Sequence, residues 1–217
     1  MKNLFYLFTL IGIILFFQSY AIAQSHTEND IKKSPTKSQR CFSKNNFGID
    51  FGVGTTANVV QIHTSGHYQN SVDKYKFMYP AFAVGIRYLH YVNPYFGLDA
   101  IKLNYQCPFK AIDYEEFMNL QVMTGIRLNT PTFFNCMSGY TAARLGYGLH
   151  FIDDFVHGMA FEAEVGLNIT SNIFIAFSYN LITNFIDRSY MYYGYYQYIS
   201  HVNRNTYALR IGFNFGK

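Results

Sequence analysis

Asn205 to Phe215 reads N-T-Y-A-L-R-I-G-F-N-F, and its two parities are entirely unlike. Tyr207, Leu209, Ile211, Phe213 and Phe215 take the odd positions; Thr206, Ala208, Arg210, Gly212 and Asn214 take the even ones. Side chains alternate faces along a strand, so one face is wholly apolar and the other small or polar. In a soluble sandwich the aromatic row would be core and Arg210 would meet bulk water. In a membrane barrel the aromatic row would meet lipid and Arg210 the lumen.

The same division recurs upstream. Phe47, Ile49, Phe51 and Val53 oppose Gly48, Asp50, Gly52 and Gly54, and Phe82, Val84, Ile86 and Tyr88 oppose Ala83, Gly85 and Arg87. A third segment from Phe96 to Tyr105 slips its alternation near Ala100 to Lys102, which predicts a β-bulge. Four more follow at 119–128, 142–151, 161–169 and 173–181, giving eight segments of about ten residues, the length a tilted spanning strand needs. Gly52-x-Gly54-x-x-Ala57 mimics a dinucleotide fingerprint, but no helix follows it, so it reads as a strand with a small-residue face.

The connections are unequal. Asn93-Pro94 and Ser171-Asn172 are minimal turns, whereas Asn58 to Met78 and Thr183 to Arg204 read as long loops on the opposite side. Short turns on one side and long loops on the other is the outer-membrane arrangement, with both termini periplasmic. The link from Asn129 to Gly139 is longer than this pattern expects.

The start of the chain sets the compartment. Lys2, the apolar run Leu4 to Phe17 and Ala21-Ile22-Ala23 form a secretory signal peptide over 1–23; a retained anchor is the weaker alternative. Residues 24–45 read as a flexible polar tail and 46–217 as one barrel domain. Polar residues interrupt every later apolar run before it could span as a helix, so membrane insertion requires a closed barrel. The formal charge of +4, one unit of it from Lys2, is too weak and scattered to argue for nucleic acid. Aromatics make up 19% of the chain, all Phe and Tyr, and lipid-facing bands with interfacial girdles are a natural place for them.

On the small or polar face, Asp50, Asp99, Glu162 and Glu164 stand against Arg87, Arg127, Arg144 and Arg210, with Lys102 near the bulge. These charges nearly cancel. The interior of an eight-stranded barrel is just wide enough to be filled by side chains, so they would pair there. In a sandwich they would be a solvated face and the balance accidental. The barrel is therefore the preferred reading: all-β, an eight-stranded antiparallel up-and-down transmembrane β-barrel.

Over Phe47 to Lys217 the chain resembles the small outer-membrane β-barrel proteins of Gram-negative bacteria, the porin-like family with OmpA/OmpX-type barrels. The eight alternating segments, Leu120 to Leu128 and Y-A-L-R-I-G-F-N-F at 207–215 carry the likeness. The resemblance implies outer-membrane lipid as surroundings and the barrel-assembly machinery as a partner reading the closing strand. Here Phe215 is followed by Gly216 and Lys217, a departure from a terminal aromatic. Members of this fold include adhesins, assembly factors, structural barrels and a few lipid-modifying enzymes, so fold does not choose the task.

Candidate chemistry is sparse. His63 and His67 read as solvated loop residues without an acidic or Cys partner at ligand spacing, and no cofactor, metal or catalytic set is expected. His150 with Asp153, Asp154 and His157 is the best rim cluster for a lipid-modifying enzyme, but no Ser stands at a matching position. Cys41, Cys107 and Cys136 are an odd set, and strand parity permits an intrachain bridge only between Cys41 and Cys136; unpaired thiols are the preferred state. Tyr190, Tyr192, Tyr193, Tyr195, Tyr196 and Tyr198 crowd the last outer loop, where they could contact an extracellular protein or glycan. The preferred alternative is that this stretch extends the last two strands above the membrane. The functional expectation is a structural or surface-interaction role through outer loops, with a narrow pore second and an enzyme third.

Overall fold

The computed structural model describes residues 43–65, 70–109, 118–133, 137–151, 155–192 and 195–216. The signal peptide, the polar tail as far as 42, Cys41, Cys136 and His67 lie outside the described residues. Eight strands follow in order: β1 (Asn45–Ser65), β2 (Asn70–Asn93), β3 (Phe96–Pro108), β4 (Met118–Asn129), β5 (Ser138–Phe151), β6 (Phe155–Asn168), β7 (Ile173–Tyr192) and β8 (Tyr195–Gly216). Each pairs antiparallel with its sequence neighbour, and β1 pairs with β8 to close the barrel. Closure leaves no exposed ladder within the wall, which is what backbone groups in hydrocarbon require.

The alternation read from the sequence becomes the two faces of that wall. Phe51, Leu145, Leu209 and Phe215 are more than half exposed on the outside, while Asp50, Asp99 and Arg144 inside show no exposure at all. Both ladders of β3 shift at the expected bulge: Tyr88 pairs with Ile101 but Leu89 with Asp99, and on the other side Asp99 pairs with Gly125 but Lys102 with Met123. The extra residue lets Asp99 and Lys102 both face inward, and the Thr124 hydroxyl donates to the Asp99 carbonyl at 2.9 Å. Gly125 lies opposite on β4; a Cβ there would run into the Ala143 carbonyl oxygen and lie 2.7 Å from Arg144 Cα.

The long connection from Asn58 to Met78, expected as a loop, is largely strand instead, and the preferred reading of the last one, an extension of the final two strands, matches its ladder. Asn58 to Ser65 and Asn70 to Met78 continue a paired hairpin, and so do Thr183 to Tyr192 and Tyr195 to Arg204. His63 therefore belongs to β1 and not to a loop. Hydrogen bonding, not apolar alternation, defines these stretches, because above a membrane neither face needs to be apolar. β1, β2, β7 and β8 run 21, 24, 20 and 22 residues against 13, 12, 14 and 14 for β3 to β6. Four adjacent strands thus rise roughly 20–30 Å beyond the rest at ~3.3 Å per residue.

The described ends of the long link between β4 and β5 are hydrogen-bonded. Thr130 N–H donates to the Gly139 carbonyl at 2.9 Å, Gly139 N–H to the Thr130 hydroxyl at 2.9 Å and Phe133 N–H to the Met137 carbonyl at 3.1 Å. Asn129 joins it to the neighbouring turn through the Tyr95 and Pro94 carbonyls at 2.8 and 3.2 Å.

Candidate functional site

Three layers, ionic, aromatic and amide, make up most of the described interior, with Leu89, Met123 and Ile182 buried beside them. The middle layer is ionic. Arg144 bonds Asp99 at 2.6 Å, Glu164 at 3.2 Å and Glu162 through a short contact, and Lys102 reaches Glu162 at 2.6 Å, Glu164 at 3.1 Å and Asp50 at 3.9 Å. Arg210 pairs with Asp50 and approaches Glu162 at 3.6 Å, and Arg87 reaches Glu164 at 3.4 Å. Every one of these side chains is fully buried. Space for them comes from glycine on the same face: a Cβ on Gly85 would lie 2.5 Å from the Asp50 carboxylate.

Towards the short turns, an aromatic layer caps the ions. The Arg127 guanidinium lies over the Tyr140 ring at 3.4 Å, Tyr140 meets Phe174 edge-on at 6.1 Å, and Arg87 lies over Phe174 at 4.0 Å. Tyr140 also donates its hydroxyl to Glu164 at 2.8 Å, tying the two layers. Towards the outside an amide layer follows. Asn104 donates to Gln121 at 3.0 Å, Gln121 to Asn119 at 2.7 Å and Asn119 to Gln106 at 3.2 Å, while Arg210 donates to Asn104 at 3.0 Å.

Seven of the eight expected lumen charges, Asp50, Arg87, Asp99, Arg144, Glu162, Glu164 and Arg210, meet in one network. Arg127 is buried among them but bonds Asn168 at 2.6 Å, Asn129 at 3.2 Å and the Tyr140 ring in place of a carboxylate. Lys102, expected only near the bulge, touches three acids. Arg204 was missed and is also buried, so the described interior holds four acids and six bases; the expected cancellation is corrected to an excess of base. Parity alone could have found Tyr140 and Phe174, which share the inward rows of Arg144 and Ser178.

Of the loop tyrosines, Tyr190 and Tyr192 belong to β7 and Tyr195, Tyr196 and Tyr198 to β8; Tyr193 lies outside the described residues. Tyr190 pairs with Gln197 and Tyr192 with Tyr195 in the tall hairpin. In the rim cluster His157 is outward and stacks on Tyr147 at 5.5 Å; Asp153 and Asp154 lie outside the described residues. Cys107 is half-buried near the outer end of β3.

No protein-family model and no curated protein matches the sequence. Solved structures of similar shape include Neisserial surface protein A, at 14% identity and a TM-score of 0.45 over 76% of this chain and 97% of that one. OprG from Pseudomonas aeruginosa aligns at 10% and 0.47 over 81% and 98%, and the attachment invasion locus protein Ail of Yersinia pestis at 15% and 0.39 over 79% and 99%. The architecture itself rests on the ladders. A closed ring of eight antiparallel strands, apolar outside and ionic inside, satisfies its backbone without an edge and can hide its charges from lipid, and this chain has the architecture of a transmembrane β-barrel.

Proposed function

We propose that the protein is a signal-cleaved outer-membrane barrel with a plugged, charge-paired lumen, acting at the cell surface through the sheet that rises from its wall. The unequal strand lengths carry this reading: β1, β2, β7 and β8 extend far past their neighbours. A barrel that only anchored itself would gain nothing from roughly eight extra residues per strand, whereas a rigid paired platform holds contact residues at low entropic cost. Tyr190, Tyr192, Tyr195, Tyr196 and Tyr198 belong to the strands of that platform and, with Tyr193 beside them in sequence, make a tyrosine-rich stretch suited to contact with an extracellular protein or glycan. Removing 190–198 and rejoining the hairpin should abolish adhesion or pull-down while the barrel stays heat-modifiable on a gel; undiminished binding would refute the platform role.

The burial of the side chains in the three interior layers supports the plug. Planar-bilayer recordings of the purified barrel should show little or no steady conductance, and stable channels of large unitary conductance would favour the pore reading instead. We further read the protein as non-enzymatic, exported after cleavage near Ala23 and inserted by the barrel-assembly machinery. Turnover in a lipid-A deacylation or acyl-transfer assay that disappears with His150→Ala would overturn the first of these, and a soluble periplasmic product the last.

A further inference from the structure

The amide layer has a direction. Arg210 carries donors only, and its Nη2 donates to Asn104 Oδ1 at 3.0 Å. That bond decides which way each following amide faces. Asn104 Nδ2 donates to Gln121 Oε1 at 3.0 Å, Gln121 Nε2 to Asn119 Oδ1 at 2.7 Å and Asn119 Nδ2 to Gln106 Oε1 at 3.2 Å. Asn180 pairs both ways with Gln121, at 2.6 and 3.0 Å, and holds it in the same sense. The relay thus climbs from the ionic layer to the outer ends of β3 and β4 and stops at Gln106.

There the last donor is unspent. Gln106 Oε1 also accepts from the Thr206 hydroxyl at 3.0 Å, while Gln106 Nε2 is buried with no hydrogen-bond partner among the described residues. Turning this amide over would set its nitrogen against the Asn119 donor, so its orientation is imposed from below. Beside it stands a cation. Arg204 follows Thr206 two residues further out on the inward row of β8, level with Ile182, and is 1% exposed. The titratable groups described in its field are Cys107, next to Gln106 in the chain, and Tyr79, opposite Thr56; neither is a carboxylate. The four lumen acids lie a layer below, held by Arg87, Lys102, Arg144 and Arg210.

We propose that Gln106 Nε2 and the Arg204 guanidinium form a subsite for a small carboxylate just inside the outer mouth of the barrel. A carboxylate brings two acceptor oxygens to groups that can only donate, and its charge offsets the surplus of base in the lumen. Both side chains are at least 98% buried, at 2% and 1% exposure, so the ligand is one that enters whole and not an acidic polymer lying across the mouth. A plainer occupant is a water molecule, which would also accept from Gln106. Water is neutral, however, and leaves the charge of Arg204 unmatched in a medium of low dielectric. The charge of the ligand therefore separates the two. Only the facing of this mouth toward the cell exterior rests on the placement proposed above; the chemistry rests on the fold.

The test uses the full mature protein, labelled with nitrogen-15, in non-ionic detergent micelles, with sodium formate as probe and ionic strength held constant by sodium chloride. The backbone amide signals of Arg204, Thr206 and residue 106 are expected to shift saturably with formate and to ignore neutral formamide and polyglutamate. Gln106→Glu keeps the acceptor of Asn119 and Thr206 but sets a carboxylate of the chain's own beside Arg204, and should abolish the response while the barrel stays heat-modifiable. Arg204→Gln should weaken formate binding by about tenfold or more, the loss of a charge-assisted hydrogen bond. Should Arg204→Gln fail to fold, the nearly isosteric Gln106→Glu still decides. No saturable shift in wild type, an equal shift with formamide or polyglutamate, or an undiminished response in Gln106→Glu would each overturn the subsite. Membrane fractionation tests the placement separately, since these signals are read from the purified barrel wherever the cell puts it.

Discussion

Arg144→Met is expected to lower barrel stability by about 3–5 kcal/mol, the usual penalty for stripping one partner from a buried ion cluster. Arg144 bonds three carboxylates, Asp99 at 2.6 Å, Glu164 at 3.2 Å and Glu162, and its side chain is wholly buried. Methionine keeps much of the volume but leaves the acids to repel one another, with Lys102, Arg87 and, at 3.6 Å from Glu162, Arg210 as their remaining near cations. Urea titration in lipid vesicles, scored by the heat-modifiable gel shift, should show the midpoint falling sharply. Adding Glu162→Gln and Asp99→Asn should recover part of the loss, because the three sites share one network and their effects cannot be additive. An unchanged midpoint in the single variant would mean that water already screens the cluster, contrary to a filled lumen.

Gly125→Val should be nearly as damaging for a different reason. The new Cβ would meet the Ala143 carbonyl oxygen and lie 2.7 Å from Arg144 Cα, and these are backbone atoms of the paired strand that cannot rotate away. Overpacking typically costs about 1–3 kcal/mol where side chains can yield, and more where they cannot. The expected result is a large drop in the heat-modifiable fraction on refolding into vesicles. Gly139→Val is the contrasting control: its nearest neighbour is the Thr130 side-chain methyl at 3.3 Å, so a small loss is expected. Equal folding of both variants would show that the β4 and β5 ladder is looser than its register implies.

Much of this barrel was legible because lipid enforces alternation. Wherever a strand crosses the hydrocarbon, a slip of one residue would put Arg210 or Glu162 in lipid, so Tyr207 to Phe215 and Phe161 to Leu167 announce their register plainly. The bulge at Ala100 was visible for the same reason, since Asp99 and Lys102 must both turn inward around two apolar residues. Above the membrane that constraint lapses. Residues 58–65 and 70–78 alternate poorly and looked like a loop although their backbones are paired, and only the tyrosine-rich stretch near the end hinted at strands continuing past the hydrocarbon. Inside, the counting of Asp and Glu against Arg missed that Tyr140 and Phe174 can face cations. The Tyr140 and Phe174 rings take up Arg127 and Arg87, a role for aromatics that is hidden when all of them are assigned to the outer belt.

The seam between β1 and β8 runs from Asn46 opposite Gly216 to Ser65 opposite Tyr196, so the two ends of the domain share one of its longest ladders. Every other ladder joins sequence neighbours through a hairpin and can form early and locally. This one must wait for both ends of the chain, and it bears the largest loop-closure entropy of the assembly. Its pairing beyond the wall gives the late step extra hydrogen bonds to gain, with β2 and β7 stiffening each side. The tall sheet is thus also the zipper that locks the ring, and the kinetics of insertion should depend on residues that never touch the hydrocarbon.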